Sequence, residues 1–193
     1  MLSGKEKLVK DLEVATQMSA KMEEYLNSDE IFWQKIDDDL VPPTFGGYWL
    51  REHRLLALQD KLLDGAQQSR LKTTVARFDR VYSRNKLRAG AKAQQELTAR
   101  VRQWGNDLDE LLQDDFPSMA YYGADVEVRA IITILFDKLQ QNSVQISAAV
   151  SSQLDRLDKQ LEKRWQAGKF IWPVDWAAAY PQDDYWWLYG KLM

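Results

Sequence analysis

Apolar residues recur every three or four positions along most of this chain. That spacing places them on one face of an α-helix, so the pattern predicts helices rather than strands. The first stripe follows Ser3 and Glu6, which have the spacing of a capping box. Its members are Leu8, Leu12, Ala15, Ser19, Met22 and Leu26. No segment alternates apolar and polar residues between hairpin turns. The sequence therefore predicts an all-α protein.

The later stripes bring the prediction to about six helices. They are expected at roughly residues 8–26, 48–64, 67–87, 91–113, 128–139 and 146–165. A short additional helix is expected around Ile31, Phe32 and Ile36. The segment 128–139 is the most apolar of the set, and we expect it at the centre of the core.

Residue types that cap or stop helices mark several of the boundaries. Thr44 follows two prolines and is expected to cap the helix at 48–64, with Gly65 just past its end. Ser143 is expected to cap the last helix, and Gly168 is expected to end it. Between 67–87 and 91–113 stands only Ala-Gly-Ala, residues 89–91. One glycine costs a helix about 1 kcal/mol relative to alanine. This region is therefore either a hairpin or one long helix, and the sequence leaves both open.

The connections are short and no flexible linker is evident, so residues 1–193 are predicted to form a single domain. Helices with short connections favour a bundle or a bundle-like array. The C-terminal segment, residues 169–193, has no helical periodicity and contains Pro173 and Pro181. We expect this irregular segment to pack against the helices and close the bundle.

The composition is that of a soluble globular protein. Apolar residues make up 45% of the 193 residues and charged residues 28%, with a formal net charge of −3. The chain lacks cysteine, which excludes disulfides and thiolate metal sites. The N-terminus has no apolar secretory core, and the most apolar run, residues 130–136, is far shorter than the roughly 20 residues that span a bilayer. We expect a cytoplasmic protein with no membrane segment.

The sequence contains no motif that identifies a catalysed reaction. His53 is the only histidine, which excludes the paired histidines of zinc-protease and di-iron motifs. Gly46 and Gly47 lack the following lysine and hydroxyl residue of a phosphate-binding loop. The three aspartates at 37–39 lack the glycine and distal glutamate of a calcium loop. No catalytic residue, cofactor or metal site is predicted, although a site built from carboxylates alone stays open.

Basic residues concentrate in one part of the chain. Residues 70–102 contain ten Lys or Arg against two acids, whereas residues 103–128 contain seven acids and no base. On a helix, five arginines fall within an arc of about 80°, opposite the apolar stripe. They are Arg70, Arg77, Arg80, Arg84 and Arg88, and we call them the arginine face. Guanidinium groups bind phosphate or carboxylate through paired hydrogen bonds, so this face is a candidate binding surface.

Two interpretations of the arginine face compete. It is either a solvated face that the chain's own acids partly neutralise, or a patch for an acidic protein, an acidic lipid surface or nucleic acid. The internal candidates for neutralisation are Asp107, Asp109, Glu110, Asp114 and Asp115. Neutralisation is favoured if the two flanking helices fold back on each other. Nucleic-acid binding is the weaker alternative, because the whole protein is acidic and no helix-turn-helix or RNA-binding signature accompanies the patch.

The C-terminal segment is dense in aromatic residues: nine of the last 29 residues carry a ring. Burying one ring gains several kcal/mol, so the rings are expected to fill gaps between the helices. The alternative is a pocket that holds a sugar, a planar ligand or a cation, with Asp175, Asp183 and Asp184 as polar groups. The candidate binding residues of this aromatic tail are Trp172, Trp176, Tyr185, Trp186 and Trp187.

Serines recur every four residues at Ser143, Ser147 and Ser151. If they share one helix face, they permit close approach of another helix, either within the chain or in a second copy. The uncharged stretch 139–154 around them favours a homodimer contact, and an exposed polar face is the alternative.

The leading hypothesis is a non-enzymatic helical interaction or scaffold protein whose partner is another protein. It depends on the missing catalytic, metal and cofactor motifs. One alternative is an enzyme or small-ligand binder with a pocket under the aromatic tail. The other is a nucleic-acid binder that uses the arginine face of residues 70–102.

Overall fold

The computed structural model of the protein describes residues 2–32, 41–113 and 118–193. It is 75% helical, which confirms the predicted all-α class. The helices are α1 Gly4–Asn27, α2 Phe45–Leu62, α3 Gly65–Arg84, α4 Lys86–Leu111, α5 Ser118–Gln141 and α6 Ala148–Glu162. After α6 come strand β1 (Trp165–Phe170), 3-10 turns at Val174–Ala179 and Trp186–Leu188, and strand β2 (Tyr189–Leu192).

Backbone contacts divide the chain into two compact units, residues 1–96 (unit 1) and 97–193 (unit 2). The boundary between them falls inside α4. A single domain over residues 1–193 stays a prediction.

The predicted helix starts are confirmed where they depend on local caps. The Glu6 amide donates to the Ser3 hydroxyl at 3.2 Å and the Ser3 amide donates to the Glu6 carboxylate at 2.7 Å, which completes the capping box of α1. Thr44 caps α2 by accepting from the Gly47 amide at 2.9 Å. Gly65 was expected to follow the end of α2, but it is the first residue of α3. The reason is a second capping box, in which Asp64 and Gln67 bond each other's backbone amides.

Only Asn85 separates α3 from α4, and the predicted interruption at residues 89–91 lies inside α4. Asn85 has φ −127° and ψ 29°, and its side-chain amide donates to the Val81 carbonyl at 3.0 Å. One residue is shorter than the loops of two to five residues that reverse a chain between antiparallel helices. The region is therefore an interrupted helix and not a hairpin.

The core of unit 1 forms where α1 packs on α2 and α3. Its aromatic centre stacks Tyr48 on Phe78, with ring centroids 3.9 Å apart and planes 10° from parallel. Phe45 meets Phe78 edge-on at 6.0 Å, and Trp49 does so at 5.8 Å. Such offset and edge-on pairs add to the free energy gained by burying the rings. They also determine which side of α3 faces inward.

Two charged residues of α4 close the ends of other helices in unit 1. Lys92 donates to the Tyr25 and Ser28 carbonyls at 2.6 and 2.7 Å, at the C-terminus of α1. One turn further along α4, the buried Glu96 carboxylate accepts from the Gly46 amide at 3.0 Å, at the N-terminus of α2. A cation at a helix C-terminus and an anion at an N-terminus both complement the helix dipole. These two contacts therefore tie α4 to α1 and α2.

Unit 2 is built around α5, as its apolar stripe predicts. Its fully or nearly fully buried residues include Val126, Ala130, Ile132, Ile134, Leu135 and Leu139. From α4, Trp104 and Leu108 are buried in the same unit, and α6 contributes Leu157 and Leu161.

The C-terminal segment contains an antiparallel strand pair that the sequence analysis did not predict. Trp165 pairs with Leu192 and Phe170 pairs with Tyr189. The strands are short, most of β1 is exposed, and residues 171–188 lie between them in place of a tight turn. A pairing of this kind leaves no local hairpin signal. The residues expected to end the last helix, Trp165 and Gly168, lie instead in β1.

The prediction that Ser143, Ser147 and Ser151 share one helix face is wrong. Ser147, not Ser143, caps α6, and it accepts from the Ala149 amide at 3.3 Å. Ser143 lies outside the helix with φ 58°, so only Ser151 of the three is inside α6. The three serines form no common helix face, and they no longer support a contact between two copies.

The short helix expected around residues 31–36 lies partly outside the described residues. Ile31 and Phe32 lie in a bend, and residues 33–40 are outside the described part of the chain.

Gly105 stands in the interior of α4 without a packing requirement. A Cβ added there would lie 3.7 Å from both terminal methyl groups of Leu157, an ordinary van der Waals distance. Alanine would therefore fit, although glycine costs a helix about 1 kcal/mol relative to alanine.

Candidate functional site

The arginine face lies on the solvent side of α3 and continues onto the first turn of α4. Its five arginines, Arg70, Arg77, Arg80, Arg84 and Arg88, are all exposed. The opposite side of α3 is buried through Leu71, Thr74, Phe78 and Tyr82. Thr74 also shares a hydrogen bond of 3.0 Å with Thr16 of α1. The buried side therefore holds α3 in one orientation, with its arginines directed to solvent.

Most of these arginines form no ion pair with a described residue of their own unit. Among the described residues of unit 1, Arg70, Arg77, Arg80 and Arg84 form no salt bridge. Arg88 donates to the side-chain and backbone oxygens of Asn27 at 3.0 and 3.3 Å, which are neutral acceptors.

The acids proposed to neutralise the arginine face are not part of unit 1. Asp107, Asp109 and Glu110 belong to unit 2, and Asp114 and Asp115 lie outside the described residues. Hairpin folding of α4 onto α3, which favoured neutralisation, does not occur. Among the described residues of unit 1, the guanidinium groups of Arg70, Arg77, Arg80 and Arg84 are exposed and form no salt bridge.

An exposed leucine lies at the C-terminal end of this basic surface, and sequence reasoning did not single it out. Leu87 is 92% exposed and stands between Lys86 and Arg88 at the start of α4. The sequence predicted Leu87 as the end of the helix at residues 67–87, whereas in the structure it is the second residue of α4. A partner on the arginine face would meet both cations and an apolar side chain here.

Lys92 is not available to a partner in the same way. Its ammonium lies 4.1 Å from the Tyr25 ring centroid and donates to the carbonyls at the end of α1. Burial lowers the pKa of Lys92, and the nearby Arg88 guanidinium lowers it further. A groove of about 250 Å³ lies beside it, with Asp29 and Gln95 on its walls.

The aromatic tail is largely packed. Trp176, Tyr185 and Trp187 are buried, whereas Trp172 and Trp186 are half-buried. Trp187 is held from two sides: its carbonyl accepts from the Tyr122 hydroxyl at 2.8 Å, and the Arg129 guanidinium lies 3.8 Å above its ring. The indole of Trp172 donates to the Gly123 carbonyl at 2.8 Å. These contacts show the tail closing unit 2, and a binding role for its rings stays a prediction.

The role of three aspartates as polar groups of an aromatic pocket stays a prediction. Asp175, Asp183 and Asp184 are all exposed. His53 is half-buried on α2, between the buried Glu52 and Arg54. Within the described ranges, no group of three or more His, Asp or Glu side chains is arranged to hold a metal ion.

Two carboxyl groups of unit 2 have raised pKa values. Burial raises the pKa of Asp107 to about 6, and the charges of Asp125 and Glu110 act in the same direction. Burial also raises the pKa of Asp125. The charged form of Asp107 therefore destabilises the folded state above pH 6, and this destabilisation disappears as the pH falls through 6 towards the unfolded value of 3.8.

We expect Asp107→Asn to melt at a higher temperature than the natural chain at pH 8. The advantage should shrink as the pH falls and be small at pH 4, because the natural carboxyl is then neutral in the folded state and only about half ionised in the unfolded state, where its pKa is 3.8. The difference in melting temperature is measured at pH 8, 6 and 4 by thermal unfolding that is monitored with circular dichroism. Asp109→Asn, at an exposed site on the same helix, is the control and should show no such trend. An equal advantage at pH 4 and pH 8 would contradict the prediction.

No helix of the described residues is both long enough and apolar enough to cross a bilayer. Comparison of the chain with protein-family models, with curated proteins and with solved structures found no match. Function must therefore be argued from the geometry of this chain.

Proposed function

We propose that the protein is a non-enzymatic helical interaction protein that binds an acidic segment of another protein through its arginine face. One observation carries this proposal: four arginines lie exposed along α3 without a salt bridge in the described part of unit 1. From Arg70 to Arg84 the row extends about 21 Å, the length of about four helical turns. A straight row of guanidinium groups at this spacing complements carboxylates on a partner helix.

Two features favour an acidic protein over nucleic acid. The chain as a whole has a formal net charge of −3, which repels a long polyanion and is less costly against a short acidic segment. Leu87 places an apolar side chain beside the cations, and protein interfaces combine apolar and charged contacts in this way. The proposal places the interaction in the cytoplasm, in keeping with a chain that contains no cysteine.

We expect Arg77→Gln/Arg80→Gln/Arg84→Gln to weaken binding of a labelled helical peptide rich in Glu and Leu about tenfold, since each exposed ion pair contributes up to about 1 kcal/mol. Fluorescence anisotropy at low and physiological salt measures the affinity. The matched control is Lys5→Gln/Lys10→Gln/Lys21→Gln, which removes three exposed cations from α1 and should leave the affinity unchanged. Circular dichroism checks that both variants are folded.

The same titration distinguishes the alternatives. Binding to a DNA duplex with a steep salt dependence, and none to the peptide, would replace the proposal with nucleic-acid recognition. Equal losses in the two triple variants would show a general charge effect and refute a site on α3. A pull-down from the native host, compared between the two variants, then identifies the partner as a protein lost only when the arginine face is changed.

A further inference from the structure

Unit 2 contains a polar groove that shares no residue with the arginine face. It is about 370 Å³ in volume and runs between the second half of α4 and the middle of α6. Its lining residues are Arg102, Gly105, Asn106, Asp109, Gln153, Arg156, Leu157 and Gln160. The volume is within the range of pockets that hold small molecules. Buried Leu157 supplies the apolar floor, and the other side chains supply polar walls.

The glycine in this groove is the first indication of a ligand. Packing does not require Gly105, because a Cβ would meet Leu157 at an ordinary contact distance. Glycine nevertheless weakens a helix interior relative to alanine. The absence of a side chain at Gly105 leaves space in the groove beside Leu157. A bound molecule that occupies this space would explain a glycine that packing within the fold does not require.

The cations in the groove are the second indication. Arg102 and Arg156 stand on different helices, and both are exposed. Neither forms a salt bridge with any residue in the described ranges, although Asp109 lines the same groove. Each guanidinium offers five N–H donors in a planar fork. One guanidinium group can bond both oxygens of a single carboxylate. A phosphate presents three strongly accepting oxygens and can therefore accept two guanidinium groups.

The other polar side chains that line the groove indicate which chemical groups the rest of the ligand contains. Asn106, Gln153 and Gln160 present amides that both donate and accept hydrogen bonds, and Asp109 presents an acceptor. Such a set complements hydroxyl groups. We propose that this groove binds a small phosphorylated molecule rich in hydroxyls, of the sugar phosphate class, with Arg102 and Arg156 on the phosphate and Asp109 on a hydroxyl.

Isothermal titration of the full chain with a hexose 6-phosphate, the free hexose and inorganic phosphate tests the proposal. We expect the hexose phosphate to bind, inorganic phosphate to bind at least tenfold more weakly, and the free hexose to show no binding. Arg102→Gln and Arg156→Gln should each weaken the hexose phosphate about tenfold. Lys159→Gln, which removes an exposed cation of α6 outside the groove, should have no effect.

Gly105→Ala provides a second, independent test. The variant should melt at a higher temperature than the natural chain without ligand, and it should bind the hexose phosphate more weakly, because its methyl group narrows the groove. Unchanged affinity in this variant, equal affinity for inorganic phosphate and hexose phosphate, or no binding of either would each overturn the proposal. The arginine-face triple variant should bind the hexose phosphate normally, so the two sites are tested separately.

Discussion

A chain that ends after Gly168 will fail to form a stable unit 2. The deletion removes strand β2 and the last two residues of β1, so the strand pair of the described structure cannot form. It also removes a set of buried side chains, namely Trp176, Ala179, Tyr180, Tyr185, Trp187, Leu188 and Leu192. Exposing one large apolar side chain costs about 2–3 kcal/mol, and a whole domain is stable by only about 5–15 kcal/mol. The loss therefore exceeds the stability available.

Thermal unfolding and limited proteolysis of the truncated and full-length chains measure this effect. Trp187→Ala should reproduce part of this destabilisation. We expect it to lower the free energy of unfolding by about 3–5 kcal/mol, because Trp187 is only 3% exposed. Val174→Ser is the matched control: it lies in the same segment but is 80% exposed, and it should change stability by less than about 0.5 kcal/mol. A truncated chain that melts like the full-length protein would show that the segment is an interaction arm rather than part of the fold.

Asp158→Ala will destabilise unit 2 by about 3–5 kcal/mol, which is the usual cost of leaving a buried charge without its partner. Arg129 is 6% exposed at its side chain and donates to both oxygens of Asp158, at 2.9 and 2.7 Å. The same guanidinium covers the Trp187 ring. Removing the carboxylate therefore disturbs the contact of α5 with both α6 and the C-terminal segment.

Asp155→Ala is the matched control for this substitution. Asp155 is an exposed aspartate one turn earlier on the same helix, so its loss should change stability by less than about 0.5 kcal/mol. Urea denaturation of the two variants and the natural chain gives the comparison. If Asp158→Ala and Asp155→Ala unfold at the same urea concentration, the pair with Arg129 is not a stabilising contact.

The arginine face could be predicted because its position depends on helical period alone. Once the apolar stripe containing Leu71 and Phe78 is buried, residues on the opposite arc must face solvent. Whether acids would neutralise it could not be predicted, since that depended on how the chain turns after Arg84. The groove between α4 and α6 was not predicted either. Its residues on α4 and α6 are about 50 positions apart in sequence, and the one local signal is a glycine, Gly105, inside a predicted helix.

The sequence by itself determined where helices form, where several begin and which faces they bury. These features arise from contacts between residues three or four positions apart and from caps such as Ser3 with Glu6. The tertiary structure alone decided the single-residue break at Asn85, the β1–β2 pairing and the partnership of Arg129 with Asp158 and Trp187. For the strand pairing and the contacts of Arg129, the physical reason is that they join distant residues. Such contacts leave no periodicity in the chain and form only once the helices have packed.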